Sequence, residues 1–337
     1  MFRSFMRSWT RNTRQAPLAK SLRGGSLVAL PTPFFNNRID ENAFAKMCAR
    51  QIECGTSALV VCTTTGEASS LSQLEQCRVI EIAADIAGDR VPVIAGAGTC
   101  STAGSIALAS QAERAGAAAL LCVTPYYMRP TQEGIYRHMC AIHDAVTIPM
   151  ILYDVPMRTA CALADDTIER LARLERIVGL KDATGDLERP ARLRPRVGDE
   201  FLLLSGDDIT QAMHRVAGGD GCISVTANVT PALCADMHHA WGRGDLRTFN
   251  RIADLLAPLS RALFVETNPI PVKYALSKMA LIADELRMPL TPLSQDCEKT
   301  VDMAVESVRS VEQRMHPVIQ PPLVGIAPVE HLAWSRW

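Results

Sequence analysis

Lysine is nearly absent from the middle of this chain. Between Met47 and Val272 there is one, Lys181, and every other Lys or Arg position in that stretch is arginine. No apolar run approaches the roughly 18 residues needed to span a bilayer, so no transmembrane segment is expected. The formal net charge is only −1, with 35 Lys and Arg against 36 Asp and Glu. Nucleic-acid and membrane-surface binders need a dense basic face, and this balance argues against both. The 11 cysteines are odd in number and never spaced as C-x-x-C. Several lie in apolar runs, where a free cysteine behaves as a small hydrophobe. That usage predicts neither a disulfide framework nor a zinc site, and it suits a reducing, cytoplasmic setting.

Familiar cofactor and nucleophile signatures are missing too. Gly96-Ala-Gly98 continues to Ser101, so the dinucleotide pattern G-x-G-x-x-G fails. His138 and His143 are five residues apart, off a common helix face, and neither H-x-x-x-H nor G-x-S-x-G occurs. No metal and no cofactor is therefore expected. Acidic residues are absent before Asp40, whereas Arg3, Arg7, Arg11, Arg14, Lys20, Arg23 and Arg38 precede it. This bias resembles a transit peptide, but an overlong start or a disordered basic arm explains it equally. Residues 1–25 are expected to be such an extension, and the proline-rich stretch 316–337 an irregular tail.

What is present is a regular alternation. Eight short apolar, β-branched runs recur at intervals of roughly 20 to 33 residues: Ser26–Pro33, Ala58–Thr64, Val91–Gly98, Ala118–Pro125, Pro149–Pro156, Arg176–Thr184, Phe201–Asp208 and Gly221–Asn228. Segments of helical length separate them, such as Ser72–Ile86, Thr102–Ala115, Gln132–Ala145 and Asp165–Leu174. Uniformly apolar strands alternating with helices make a parallel sheet covered on both faces. Eight regular units favour closure into a (β/α)₈ barrel over residues 26–230, rather than a doubly wound open sheet. Residues 231–315 read as an appended helical segment. With 48% hydrophobic residues the chain can bury a core of this size.

Barrel enzymes work at the C-terminal ends of their strands. Lys181 falls at such an end, in Ile177-Val-Gly-Leu-Lys181-Asp-Ala-Thr-Gly185. Desolvation disfavours an ammonium, and a neutral amine attacks ketones to form Schiff bases. The competing reading is a salt-bridged or snorkelling lysine. Other strand ends carry Thr63-Thr64-Thr65-Gly66-Glu67, Tyr126-Tyr127, Tyr153-Asp154, Arg158-Thr159 and Ser205-Gly206-Asp207-Asp208. Hydroxyls and backbone N–H groups leading into a helix can bind a carboxylate or simply cap a turn. A tyrosine can carry protons beside a lysine nucleophile or merely pack. Arg158 can clamp a carboxylate or lie solvated in a loop.

Taken in order, seven motifs resemble those of the dihydrodipicolinate synthase family of pyruvate-dependent Schiff-base aldolases. They are Thr-Thr-Gly-Glu, Val-Thr-Pro-Tyr-Tyr, Tyr-Asp-Val-Pro-Met-Arg-Thr, Gly-Leu-Lys-Asp-Ala-Thr-Gly, Leu-Leu-Ser-Gly-Asp-Asp, Ile-Ser-Val-Thr-Ala-Asn and Asn-Pro-Ile-Pro-Val-Lys, within Ser26 to Val311. The resemblance implies that Lys181 forms an imine with pyruvate, while Thr65 and backbone groups near Gly206 and Ile223 hold its carboxylate. It further implies that Tyr153 donates and accepts protons, and that Thr64 links it to Tyr127 reaching in from a neighbouring subunit of a homotetramer. Arg158 would bind the carboxylate of L-aspartate 4-semialdehyde. Related sugar-acid aldolases share the lysine, tyrosine and Thr-Gly-Glu elements but typically lack an arginine there. A sugar-acid aldolase of the same family and a non-catalytic keto-acid-binding paralogue remain the rival readings.

Two departures from the family pattern stand out. Thr63 occupies a position usually held by glycine. Where lysine-inhibited members place histidine, asparagine and glutamate, this chain has Gln73, Gln76, Cys100 and Gly104, with Tyr126 retained. Weak or absent inhibition by L-lysine is the expectation.

Overall fold

The computed structural model describes residues 15–315. Eight parallel strands close into a barrel: Ser26–Ala29, Ala58–Val61, Val93–Gly96, Ala119–Val123, Met150–Asp154, Ile177–Asp182, Leu202–Ser205 and Gly221–Ser224. The last closes on the first through Ser26↔Cys222 and Leu27↔Ile223. Each strand lies inside one of the eight apolar runs. Alternation of side chains along a strand builds two cores. Leu27, Val60, Ile94, Leu121, Ile151, Leu204 and Ile223 fill the barrel, while Val28, Leu59, Leu120, Leu152, Leu180 and Leu203 pack outward against the helices.

The pairing of the fifth and sixth strands shifts by one residue. Met150 pairs with Ile177, but Ile151 pairs with Gly179, so Tyr153 falls opposite Lys181 and Asp154 opposite Asp182. Val178 is the extra residue, and bulges of this kind re-aim side chains. Continued without the shift, the first register would set Lys181 opposite Asp154, on the helix side. With it, Lys181 faces into the barrel. Gly179 is needed here because a Cβ would lie 2.7 Å from that of Leu202.

Helix starts follow local chemistry. Ser72 and Glu75 form a reciprocal capping box on Gln73–Ala87, while the hydroxyls of Ser101 and Thr131 cap Thr102–Arg114 and Gln132–Ala145. The helix at Asp165 ends at Leu171, earlier than the composition suggested. Four helices follow the barrel strands: Pro231–Gly242, Leu246–Ala262, Ile270–Lys278 and Gln295–Met315. None of the described helices is long and apolar enough to cross a membrane.

Two features differ from the sequence reading. The basic extension expected over residues 1–25 is helical from Gln15 to Leu22, and Leu22 is fully buried in the same inner cluster as Leu27. A few apolar residues at the right spacing outweigh the basic composition. A short antiparallel ribbon, Phe34–Phe35 with Arg38–Ile39, turns through Asn36 and Asn37, both at positive φ, which asparagine tolerates well. The remainder of the expected extension, residues 1–14, and the expected tail, 316–337, lie outside the described residues.

Candidate active site

The fifth and sixth strands set Tyr153 and Lys181 side by side, with Lys181 Nζ 4.3 Å from the centroid of the tyrosine ring. Both are buried, Lys181 at 6% exposure and Tyr153 at 7%. Gly206, just past the seventh strand, closes one side: its N–H donates to the Asp182 carbonyl at 2.7 Å, and a Cβ there would stand 3.0 Å from Lys181 Cε. Ile223, on the eighth strand, is buried in the inner cluster that contains Tyr153.

Tyr153 also lines a cavity of about 520 Å³, together with Thr64, Tyr126, Arg158 and Asn268, among others, whereas Lys181, Thr65, Gly206 and Ile223 do not line it. Thr65 is buried beside it, its Oγ1 accepting a hydrogen bond from Asn268 Nδ2 at 3.0 Å. Arg158 Nη2 donates to the Asn268 carbonyl at 3.3 Å. Tyr127 stands apart. It is 86% exposed at positive φ and does not line the cavity, where Tyr126 stands instead.

Charged residues around the site hold its strand ends in place. Glu67 ends the threonine loop, and its Oε1 lies 2.6 Å from Nζ of the fully buried Lys273, which also donates to the Thr32 carbonyl at 3.0 Å. Two distant motifs thus meet in one ion pair. Asp154 and Asp182, the residues that follow Tyr153 and Lys181, turn outward. Arg189 Nη1 reaches both, at 2.8 and 3.4 Å. Burial pushes the Asp154 carboxyl above its ordinary range, while the Arg189 charge opposes it. Asp208 accepts the N–H groups of Val225 and Thr226, at 2.7 and 3.2 Å, tying the seventh strand's end to the turn after the eighth. Burial likewise raises its carboxyl, and the Ser224 hydroxyl and these N–H groups pull it back.

Sequence reasoning assigned no role to Asn268, Arg189 or Lys273, although two of them lie in motifs quoted for the resemblance. The available signal for Asn268 was a lone polar residue before Pro-Ile-Pro, at a chain position remote from every strand end.

A closed parallel barrel with a buried lysine against a tyrosine at its mouth is the arrangement of a Schiff-base lyase of the aldolase type. The model of the dihydrodipicolinate synthetase family matches residues 22–308, and the chain belongs to that family. The 4-hydroxy-tetrahydrodipicolinate synthase of Rhodospirillum centenum is 51% identical over 281 residues, covering 83% of this chain and 97% of that protein. The dihydrodipicolinate synthase of Acinetobacter baumannii, solved in complex with pyruvate, superposes with a TM-score of 0.83 at 42% identity, covering 86% of this chain and 99% of that one. A relative from Cyanidioschyzon merolae, solved with lysine bound, gives a TM-score of 0.83 at 32% identity over 86% of this chain and 99% of its own.

Proposed function

We propose that this chain condenses pyruvate with L-aspartate 4-semialdehyde to give 4-hydroxy-tetrahydrodipicolinate, with Lys181 as the covalent nucleophile. The Lys181 amine adds to the pyruvate ketone and water leaves, giving an iminium. That electron sink acidifies the methyl group. Loss of a proton gives an enamine, whose carbon attacks the incoming aldehyde and forms the new carbon–carbon bond. The amino group of the aldehyde substrate then takes over the imine carbon, closing the ring and freeing Lys181. Tyr153, against Lys181, carries protons in and out, with Thr64 on the same cavity wall. Thr65 and backbone groups near Gly206 and Ile223 hold the pyruvate carboxylate. Arg158, lining the cavity, takes that of the aldehyde, which favours an acidic aldehyde over a sugar.

The observation that carries this reading is the buried Lys181–Tyr153 contact, fitted against Gly206. Borohydride reduction in the presence of pyruvate, read by peptide mass spectrometry, tests it. A pyruvate-sized adduct is expected on Lys181 and is lost in Lys181→Ala. A folded wild-type protein that traps nothing would overturn the mechanism.

The working form is a homotetramer in which Tyr127 completes a neighbour's site. Its exposure, with that of Met128 and Met157 beside the same loops, supports this reading. Sedimentation velocity tests it: a monomer retaining full activity would refute the role given to Tyr127. All 11 cysteines are free, which suits the reducing cytoplasm we assign to the chain.

A further inference from the structure

The Thr65–Asn268 contact decides which way one hydroxyl proton points. An amide nitrogen donates and cannot accept, so Asn268 Nδ2, 3.0 Å from Thr65 Oγ1, makes that oxygen the acceptor. The threonine's own O–H is left for a different acceptor. A carboxylate has no proton and binds only donors. A threonine whose proton was committed to the protein would present lone pairs to it instead. Both side chains are buried, and Asn268 Oδ1 has no partner among the described residues. Thr65 is therefore the group that Asn268's side chain serves. Its backbone carbonyl has another task, accepting from Arg158 Nη2 at 3.3 Å, and this survives any side-chain change.

We propose that Asn268 is a positioning residue that fixes the Thr65 hydroxyl as a donor to the pyruvate carboxylate. This rests on the assignment of Thr65 to that carboxylate. Asp is the isostere of Asn but offers only acceptors at this position, so Asn268→Asp would capture the Thr65 proton and set a negative charge near the substrate's own. Asn268→Ala merely leaves the hydroxyl unfixed.

The test is steady-state kinetics in both substrates on N268D, N268A, T65V and T65V/N268A, with thermal melts confirming folding. The expected pattern is a KM for pyruvate raised at least tenfold in N268D and by less in N268A. The KM for the aldehyde should move less than twofold, because the Arg158 contact is to backbone. N268A should have no further effect in the T65V background, an arm that stands even if N268D fails to fold. A general structural role would move both KM values and persist in T65V. The proposal is overturned if N268D binds pyruvate as well as N268A does, or if the N268A effect survives in T65V. The underlying assignment fails separately, if T65V leaves the KM for pyruvate unchanged.

Discussion

Replacing Lys273 with methionine is expected to be among the costliest single changes in this protein. The ammonium is fully buried, 2.6 Å from Glu67 Oε1, 3.0 Å from the Thr32 carbonyl and 4.2 Å from the centroid of Phe34. Methionine matches the volume but removes every polar contact. The Glu67 side chain, 1% exposed, is then left with the Arg287 N–H at 3.1 Å as its remaining partner. Breaking a buried ion pair from one side costs about 3–5 kcal/mol. In a chain this large, that lowers the melting midpoint by roughly 4–8 °C. Because Glu67 closes the loop bearing Thr64 and Thr65, the KM for pyruvate is expected to rise as well. Urea unfolding and thermal melts of K273M, E67Q and E67Q/K273M check the reasoning. Removing the stranded charge is expected to restore most of the loss in the double variant. A loss under about 1 kcal/mol in K273M, or a double variant no more stable than K273M, would refute it.

Three further outcomes are expected. Gly206→Ala places a methyl 3.0 Å from both Lys181 Cε and Ala183 Cβ and 3.1 Å from the Asp182 carbonyl, so the rate of pyruvate trapping should fall at least tenfold in the folded variant, with some loss of melting temperature; an unchanged rate would show the lysine free to move aside. Burial, with the charges of Arg215 and His239, lowers the His238 imidazole to about 3. The unfolded chain takes up that proton below about pH 6.5, so its contribution to stability is complete above that pH and lost as pH falls towards 3. Between pH 7.5 and 4.5, His238→Gln should lose roughly 2–3 kcal/mol less than wild type in urea titrations, and parallel losses would contradict this. L-Lysine should not half-inhibit below about 1 mM, because Glu67, the one carboxylate among the described residues lining the cavity, is engaged by Lys273 and the Arg287 N–H; sub-millimolar inhibition in a titration would refute it.

Much of the architecture was legible in the residues. Short, uniformly apolar, β-branched runs alternating with helical segments favoured strands covered on both faces, and their number and spacing favoured closure over an open sheet. Lys181 stood out because lysine is otherwise absent around it, and Tyr153 because it ends an apolar run. The pairings across the chain were not legible. Asn268 and Thr65 are 203 residues apart, and Lys273 and Glu67 are 206, distances over which periodicity carries no information. Arg189 is one arginine among many until the fold sets Asp154 and Asp182 side by side. The helix at Gln15–Leu22 was obscured by the basic composition around it, which says nothing of where Leu22 packs.

The extra residue in the sixth strand has a further consequence. Whether the Lys181 amine faces into the barrel depends on the parity of one short segment. Removing a single residue between Ile177 and Leu180 would leave the hydropathy of the strand almost unaltered, yet turn the amine out among the helices and bring an aliphatic side chain into the barrel. Two chains alike in composition and barrel could therefore differ in possessing any chemistry at all. In this fold the amine leaves the barrel with no change to Lys181 itself, only a change of count before it.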